Sequence, residues 1–211
     1  MLHGHMHIAR ERRVLALGAH PDDIEAGAGG LVARLVATGA PVTMVVSSIP
    51  NRYPDRLAEA RAGAARLGAE LVLLRDDAAS RVEDVSMHAL VARLEEVVER
   101  VRPDLVITHG ASDTHWDHFL VHRASLSAIR RTRCDVVLYD AGPPLAPSRG
   151  LRGGLFVDIE DVLGTKLAAL AEHRSQFTAA AIEGRREAAR AVGAMCGLRY
   201  AEVYEPLRMY A

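Results

Sequence analysis

Two short stretches of this 211-residue sequence hold most of its chemically capable side chains. The first, Val14 to Gly30, reads VLALGAHPDDIEAGAGG and places His20, Asp22 and Asp23 side by side, with Glu25 just beyond. The second reads HGASDTHWDHFLVH and gathers His109, Asp113, His115, Asp117, His118 and His122. Imidazole together with carboxylate is the ligand mixture of a borderline cation such as zinc. Adjacent carboxylates are costly to hold together unless a cation or a shared proton relieves them. Alone, His20-Pro21-Asp22-Asp23 also reads as a charged turn in which Asp22 or Asp23 caps a helix. Turn chemistry does not account for the second cluster.

Both clusters directly follow a short apolar run. Such runs predict strands at Val14–Leu17, Val42–Ser47, Leu71–Leu74, Leu105–Thr108 and Val136–Tyr139. Helical patterns fall between them, at about Glu25–Thr38, Pro54–Leu67, Ser86–Val101 and His118–Thr132. This alternation means βαβ units in an α/β fold: a Rossmann-like, mostly parallel sheet with helices on both faces. Each polar cluster then lies at the carboxyl end of a strand, where open α/β sheets place their sites. Ala141–Gly154, rich in Pro and Gly and carrying Arg149 and Arg152, reads as a loop. Leu155–Ile159 reads as an added strand, Asp161–Ala171 and Thr178–Met195 as helices, and Arg199–Val203 as a final short strand.

The length favours one domain over residues 1–211, with 1–12 as a flexible tail in which His3, His5 and His7 are poor scaffolding for catalysis. Hydrophobic residues make up 49% and charged residues 25%, an ordinary globular balance. A net charge of -1 and an aromatic content of 4% argue against nucleic acid and against an anionic membrane surface. No run of apolar residues is long enough to span a bilayer, and MLHGHMHIARERR lacks the apolar centre of a signal peptide. A cytoplasmic protein is expected, its two cysteines, Cys134 and Cys196, serving as buried small hydrophobes. A homo-oligomer is left open.

A catalytic zinc takes three protein ligands and keeps one open position. His20 and Asp23 supply two. His118, opening the fourth helix, is the third from the second cluster. His122 lies one turn later on the same face, where it packs beneath the site or supports it. The rival reading, a nucleotide-binding module, rests on Gly27-Ala28-Gly29-Gly30. Those glycines do not complete a G-x-G-x-x-G pattern, and the only lysine, Lys166, is in no phosphate-binding loop.

AHPDDIE, followed after a later strand by His115-Trp116-Asp117-His118, resembles the PIG-L/LmbE-like zinc-dependent deacetylases. So do Arg56-Leu57-Ala58-Glu59, Arg66-Leu67-Gly68, and Lys166 to Gln176, KLAALAEHRSQ. The resemblance implies one Zn2+, or another divalent metal, on His20, Asp23 and His118. It implies Asp22 as general base, His115 beside the reacting carbonyl, and Asp117 orienting His115 and favouring its charged form. Arg56 becomes a substrate contact, with a solvated helix charge as the alternative. The implied reaction removes an acetyl group from an N-acetylated amino sugar of the N-acetylglucosamine type, by metal-activated water. Amidase action on another amide, such as a thiol-sugar conjugate, is the alternative. Two departures bear on specificity: SSIPNRYPDR replaces the family's Gly-Glu-rich turn, and Asp76 and Asp77 match an acidic substrate position only loosely.

Overall fold

A computed structural model of the chain describes residues 12–75, 78–142 and 154–210. Asp76, Asp77, Arg149, Arg152 and the three alternating N-terminal histidines lie outside that set. The expected parallel strands form: β1 (Val14–Gly18), β2 (Val42–Val46), β3 (Glu70–Leu73), β4 (Leu105–His109) and β5 (Asp135–Tyr139). Between them run α1 (Asp23–Ala37), α2 (Tyr53–Leu67), α3 (Met87–Val101) and α4 (Trp116–Ala128). β6 (Leu155–Asp158), α5 (Leu163–Glu172), α6 (Ala179–Cys196) and β7 (Ala201–Arg208) complete the order. A short 3-10 helix, Val82–Asp84, precedes α3.

The seven strands run β3-β2-β1-β4-β5-β7-β6. The first five are parallel, and β7 runs antiparallel to both β5 and β6. The strand order reverses between β1 and β4, so the crevice at their carboxyl ends is a topological switch point. It is into this crevice that both sequence clusters emerge. β1, β2, β4 and β5 are buried throughout, as expected of central strands covered on both faces. Val14 and Ala16 join the core under α1, α2 and α5, while Leu15 and Leu17 join the core under α3 and α4.

The last strand differs from expectation. It extends eight residues, to Arg208, because it is inserted between β5 and β6 and pairs on both edges. Arg12, assigned above to the tail, is anchored instead, pairing with Asp135 and donating to the Asp104 carbonyl at 3.2 Å. Cys134 is buried, but Cys196 is only half-buried.

α1 must lie very close to the sheet. A Cβ on Gly27 would come within 2.8 Å of the Asp140 carbonyl and collide with the Tyr139 ring, and one on Gly30 would come within 2.6 Å of Ile159. The glycines that resembled a phosphate loop therefore serve close packing. Midway along α1, Glu202 of β7 accepts from the Gly30 and Leu31 N–H groups at 2.8 and 2.7 Å. Lys166 donates to Glu202 at 2.6 Å and to the Ala26 carbonyl at 2.9 Å, and the Tyr204 hydroxyl donates to Glu202 at 2.6 Å. The chain's only lysine thus lies in a fully satisfied buried network that bolts α1 to α5 and β7. Among the described residues no helix is long and apolar enough to cross a membrane.

Removing one partner of a buried pair leaves the other charge uncompensated. Lys166→Met is expected to cost about 3–5 kcal/mol by urea denaturation. Lys166→Met combined with Glu202→Gln should cost less than the sum of the two single changes.

Candidate active site

The turn after β1 carries the first cluster. Asp22 has φ 93° and ψ -26°, a left-handed conformation that costs an aspartate of order 1–3 kcal/mol. It sits at the N-cap of α1, yet its side chain makes no capping hydrogen bond. The cap reading of the turn therefore fails for Asp22, and its carboxyl faces a cavity of about 1250 Å³ instead. Asp23, the first residue of α1, is buried, and its Oδ2 accepts from the His20 main-chain N–H at 2.8 Å. Behind the turn, Ser47 and Ser48 donate from their main-chain N–H groups to the Gly18 and Ala19 carbonyls at 3.0 and 2.9 Å. The SSIP segment thereby extends the edge of β2 beneath the site, and Pro50 and Asn51 continue into the cavity wall.

β4 and the start of α4 bring the second cluster to the same place. His118 Nε2 lies 3.2 Å from Asp23 Oδ1, and its Nδ1 lies 2.6 Å from Asp113 Oδ2. His20 Nε2 lies 2.9 Å from Asp117 Oδ2, and its Nδ1 lies 3.6 Å from Asp23 Oδ2. Ligand atoms of His20, Asp23 and His118 fall within 4.8 Å of one another. Each histidine has a carboxylate on its outer nitrogen, the arrangement that orients imidazole ligands around a metal. The charge balance fits a cation as well. Burial alone lowers the His118 pKa, but Asp113 and Asp23 outweigh it and push it up to about 10. A proton there takes the place of a positive charge that the carboxylates demand.

His109, Asp113 and His118 form a second group of similar compactness, in which most ligand atoms are engaged but the buried His109 Nδ1 has no hydrogen-bond partner among the described residues. His109 Nε2 accepts the Ala19 N–H at 3.0 Å and lies 3.3 Å from the Tyr139 hydroxyl. Asp113 Oδ1 accepts the His115 N–H at 2.9 Å, and its Oδ2 holds His118. His109 is wholly buried and stacks on the His118 ring, with centroids 4.1 Å apart. His122 packs beneath the site, its Nδ1 donating to the His109 carbonyl at 2.7 Å. His122 thus braces β4, and His109 in turn packs against the ligand side chain.

Two expected roles change. Asp117 does not set its carboxylate on His115. That carboxylate is taken by His20, and the contact with His115 runs from the Asp117 main-chain N–H to His115 Nδ1, at 3.2 Å. The reason is that α4 starts earlier than expected, at Trp116, with the His115 side chain as its N-cap. With Nδ1 accepting, the ring carries its proton on Nε2. Burial and the charges of His118 and His20 lower the His115 pKa, outweighing Asp117, so the charged form expected from the sequence is disfavoured. Arg56 is 5% exposed, which rules out a solvated helix charge. Its Nη2 donates to the Pro21 carbonyl at 3.0 Å and lies 3.6 Å from Asp22 Oδ1. Burial and the neighbouring Asp23 raise the Asp22 pKa to about 7, against the opposing pull of Arg56.

Other contacts of the site were not legible beforehand. Glu59, one turn after Arg56, accepts from the Ser175 N–H at 2.8 Å and from its hydroxyl at 2.6 Å. That clamp sets Gln176 and Phe177 at the cavity wall. Glu25 Oε1 lies 3.0 Å from Nε2 of the wholly buried His173, under Gly63, where a Cβ would come within 2.7 Å of that nitrogen. The pattern KLAALAEHRSQ marked this segment, but nothing in it showed that His173 would meet the first helix. Arg185 of α6 lines the cavity with no motif to announce it.

Burial lowers the His173 pKa, but the Glu25 carboxylate outweighs it and the net shift is upward from 6.5. The pair's contribution to stability is therefore complete below pH 6.5 and is lost as pH rises through the raised value. His173→Gln should accordingly cost most stability at acid pH, the gap to wild type narrowing as pH rises in urea titrations.

A family profile described as PIG-L: GlcNAc-PI de-N-acetylase matches residues 15–129. The uncharacterized deacetylase YaiS of Escherichia coli is 31% identical over 178 residues, 79% of this chain and 92% of YaiS. The 1D-myo-inositol 2-acetamido-2-deoxy-alpha-D-glucopyranoside deacetylase of Kineococcus radiotolerans is 30% identical over 161 residues, 56% of this chain but 45% of that enzyme. Among solved structures, the 4-carboxy-2-hydroxymuconate hydratase GalB of Pseudomonas putida superposes with a TM-score of 0.78 at 21% identity, over 95% of this chain and 98% of its own. The N,N'-diacetylchitobiose deacetylase of Pyrococcus horikoshii superposes with a TM-score of 0.74 at 21% identity, over 92% and 82%. With a profile covering more than half of its length and a 31% identical relative spanned almost end to end, this chain belongs to the PIG-L (GlcNAc-PI de-N-acetylase) family.

Proposed function

We propose that this protein is a zinc-dependent N-deacetylase of small N-acetylated amino sugars of the N-acetylglucosamine type. The observation that carries the reading is the convergence of His20, Asp23 and His118 beside Asp22 at the mouth of a large cavity. Names of relatives support the substrate class, the Kineococcus enzyme acting on a 2-acetamido-2-deoxy sugar. A zinc ion on His20, Asp23 and His118 supplies Lewis-acid polarisation of the amide carbonyl and makes water more acidic.

The chain's own groups divide the proton work. Asp22, with a pKa near 7, is poised to take a proton from the attacking water at neutral pH. Arg56 fixes the Asp22 carboxylate from below while holding the Pro21 carbonyl, so it acts first as a positioning residue. His115, with its proton on Nε2, is a neutral donor at the cavity wall. It stabilises the oxygen on which negative charge grows, while the proton that Asp22 has taken from water passes to the leaving amine. Asp117 acts through His20, keeping that ring turned toward Asp23. We place the reaction in the cytoplasm, which the two unpaired cysteines suit.

His20→Ala, Asp23→Ala and His118→Ala are each expected to lose bound zinc by elemental analysis; retention of full occupancy by all three would overturn the ligand set. Asp22→Asn should keep the metal yet lose turnover by about 10²–10⁴, the scale of general acid-base catalysis. It should also melt higher than wild type at neutral pH, because asparagine tolerates the left-handed conformation and removes one buried like charge. Free amine released from N-acetylglucosamine glycosides, but not from N-acetyl peptides, is the expected substrate pattern. The reverse pattern would replace the sugar while leaving a metal amidohydrolase.

A further inference from the structure

The cavity of about 1250 Å³ is larger than the 300–1,000 Å³ that usually encloses a whole drug-sized ligand. An acetylated amino sugar seated at Asp22 and His115 leaves much of it unfilled. The remaining space lies against α6, whose Ala181, Gly184, Ala188 and Ala191 form its wall with Phe177. A Cβ built on Gly184 meets nothing within 4 Å, so the wall there is open.

One charged group is set into that wall. Arg185 is half-buried, and its Nη2 donates to the Ala141 carbonyl at 2.9 Å. Its guanidinium carbon lies 5.9 Å from the Phe177 ring centroid. Among the described residues no ion pair joins Arg185 to a carboxylate, whereas Arg56 and Arg186 pair with Asp22 and Glu183. Asp22, Asp140 and Asp23 act on it only through space. Residues 143–153, which follow Ala141 in the chain, contain no aspartate or glutamate. A guanidinium has five donors in a planar fork, and taking it out of water without an anion is costly. Among the described residues the rest of the fork makes no hydrogen bond, and it lies beside the open part of the catalytic cavity.

We propose that Arg185 is a specificity residue that binds an oxyanion, carboxylate or phosphate, on the aglycone of the substrate, with Phe177 and the small residues of α6 receiving the rest of that group. The proposal rests on the deacetylase reading for the position of the sugar, but not for the anion preference itself. Arg185 takes no part in the proton transfers.

The test uses three glycosides of N-acetylglucosamine: the phosphate, the carboxyphenyl and the neutral phenyl glycoside. Binding is measured by calorimetry and cleavage by release of free amine, in the wild type, Arg185→Gln and Arg185→Lys. The two anionic glycosides together should bind at least about tenfold more tightly than the neutral one, the scale of a charge-assisted hydrogen bond. Arg185→Gln should abolish that preference while leaving neutral binding unchanged. Arg185→Lys should keep the charge and lose part of the preference, and it serves as the reading if the glutamine variant does not fold. A preference between phosphate and carboxylate identifies which oxyanion is the ligand. Equal or absent binding of all three by the wild type overturns the inference. So does an equal loss for all three in Arg185→Gln, the result expected if Arg185 only ties α6 to Ala141. An Arg185-dependent anion preference without any amine release supports this inference and overturns the deacetylase reading. Amine release without preference does the opposite.

Discussion

Everything at the site depends on negative charge buried where β1 and β4 diverge. Asp22, Asp23 and Glu25 enter from one strand end, and Asp113 and Asp117 from the other. In a medium of low polarity such a group is held only by protons, cations or dense hydrogen bonding. The protein uses each. Asp23, at the positive end of α1 and beside His109 and His118, is held well below the usual carboxylate range despite full burial. Asp22, where burial and Asp23 outweigh the opposing charges of Arg56 and His173, is driven the other way. Two adjacent aspartates thus have opposite proton affinities, one suited to holding a cation and one to accepting a proton.

Concentrating that charge on the first turn of a helix makes the seat of the helix part of the chemistry. α1 approaches β5 and β7 at Gly27 and Gly30, and the Lys166–Glu202–Tyr204 network fixes its height and rotation. Arg56 holds the turn at one end of α2, while Glu59, a helical turn later, holds Ser175. The stretches around Arg56 and Ser175 are therefore parts of one brace around the HPDD turn. A shift of α1 by a fraction of an ångström would be felt at Asp22 and Asp23 together.

The same fold occurs in proteins described by different reactions, a hydratase and a chitobiose deacetylase. A sheet with a switch point offers a crevice; the side chains arriving there determine the reaction. In this chain those side chains are histidines whose outer nitrogens are held by carboxylates, with Asp22, paired to Arg56, alongside.

The sequence by itself was enough for the alternating strands and helices, the parallel sheet, and the gathering of His20, Asp22, Asp23, His115 and His118 at strand ends. These follow from local apolar patterning and from short-range clustering, which one-dimensional information carries. It also marked Arg56, Glu59 and Ser175 by resemblance, without showing that they meet. The three-dimensional structure decided what depends on contacts distant in the chain. Asp117 serves His20, 97 positions away, and not its near neighbour His115. His173 reaches Glu25 across 148 positions, and the lone lysine meets a glutamate on the last strand. Arg185, within the helix expected over Thr178–Met195, is set in the wall of the cavity by the turn of α6. Partner choice among several histidines and carboxylates turns on differences of an ångström or less, and only the packing of the helices on the sheet sets distances that finely.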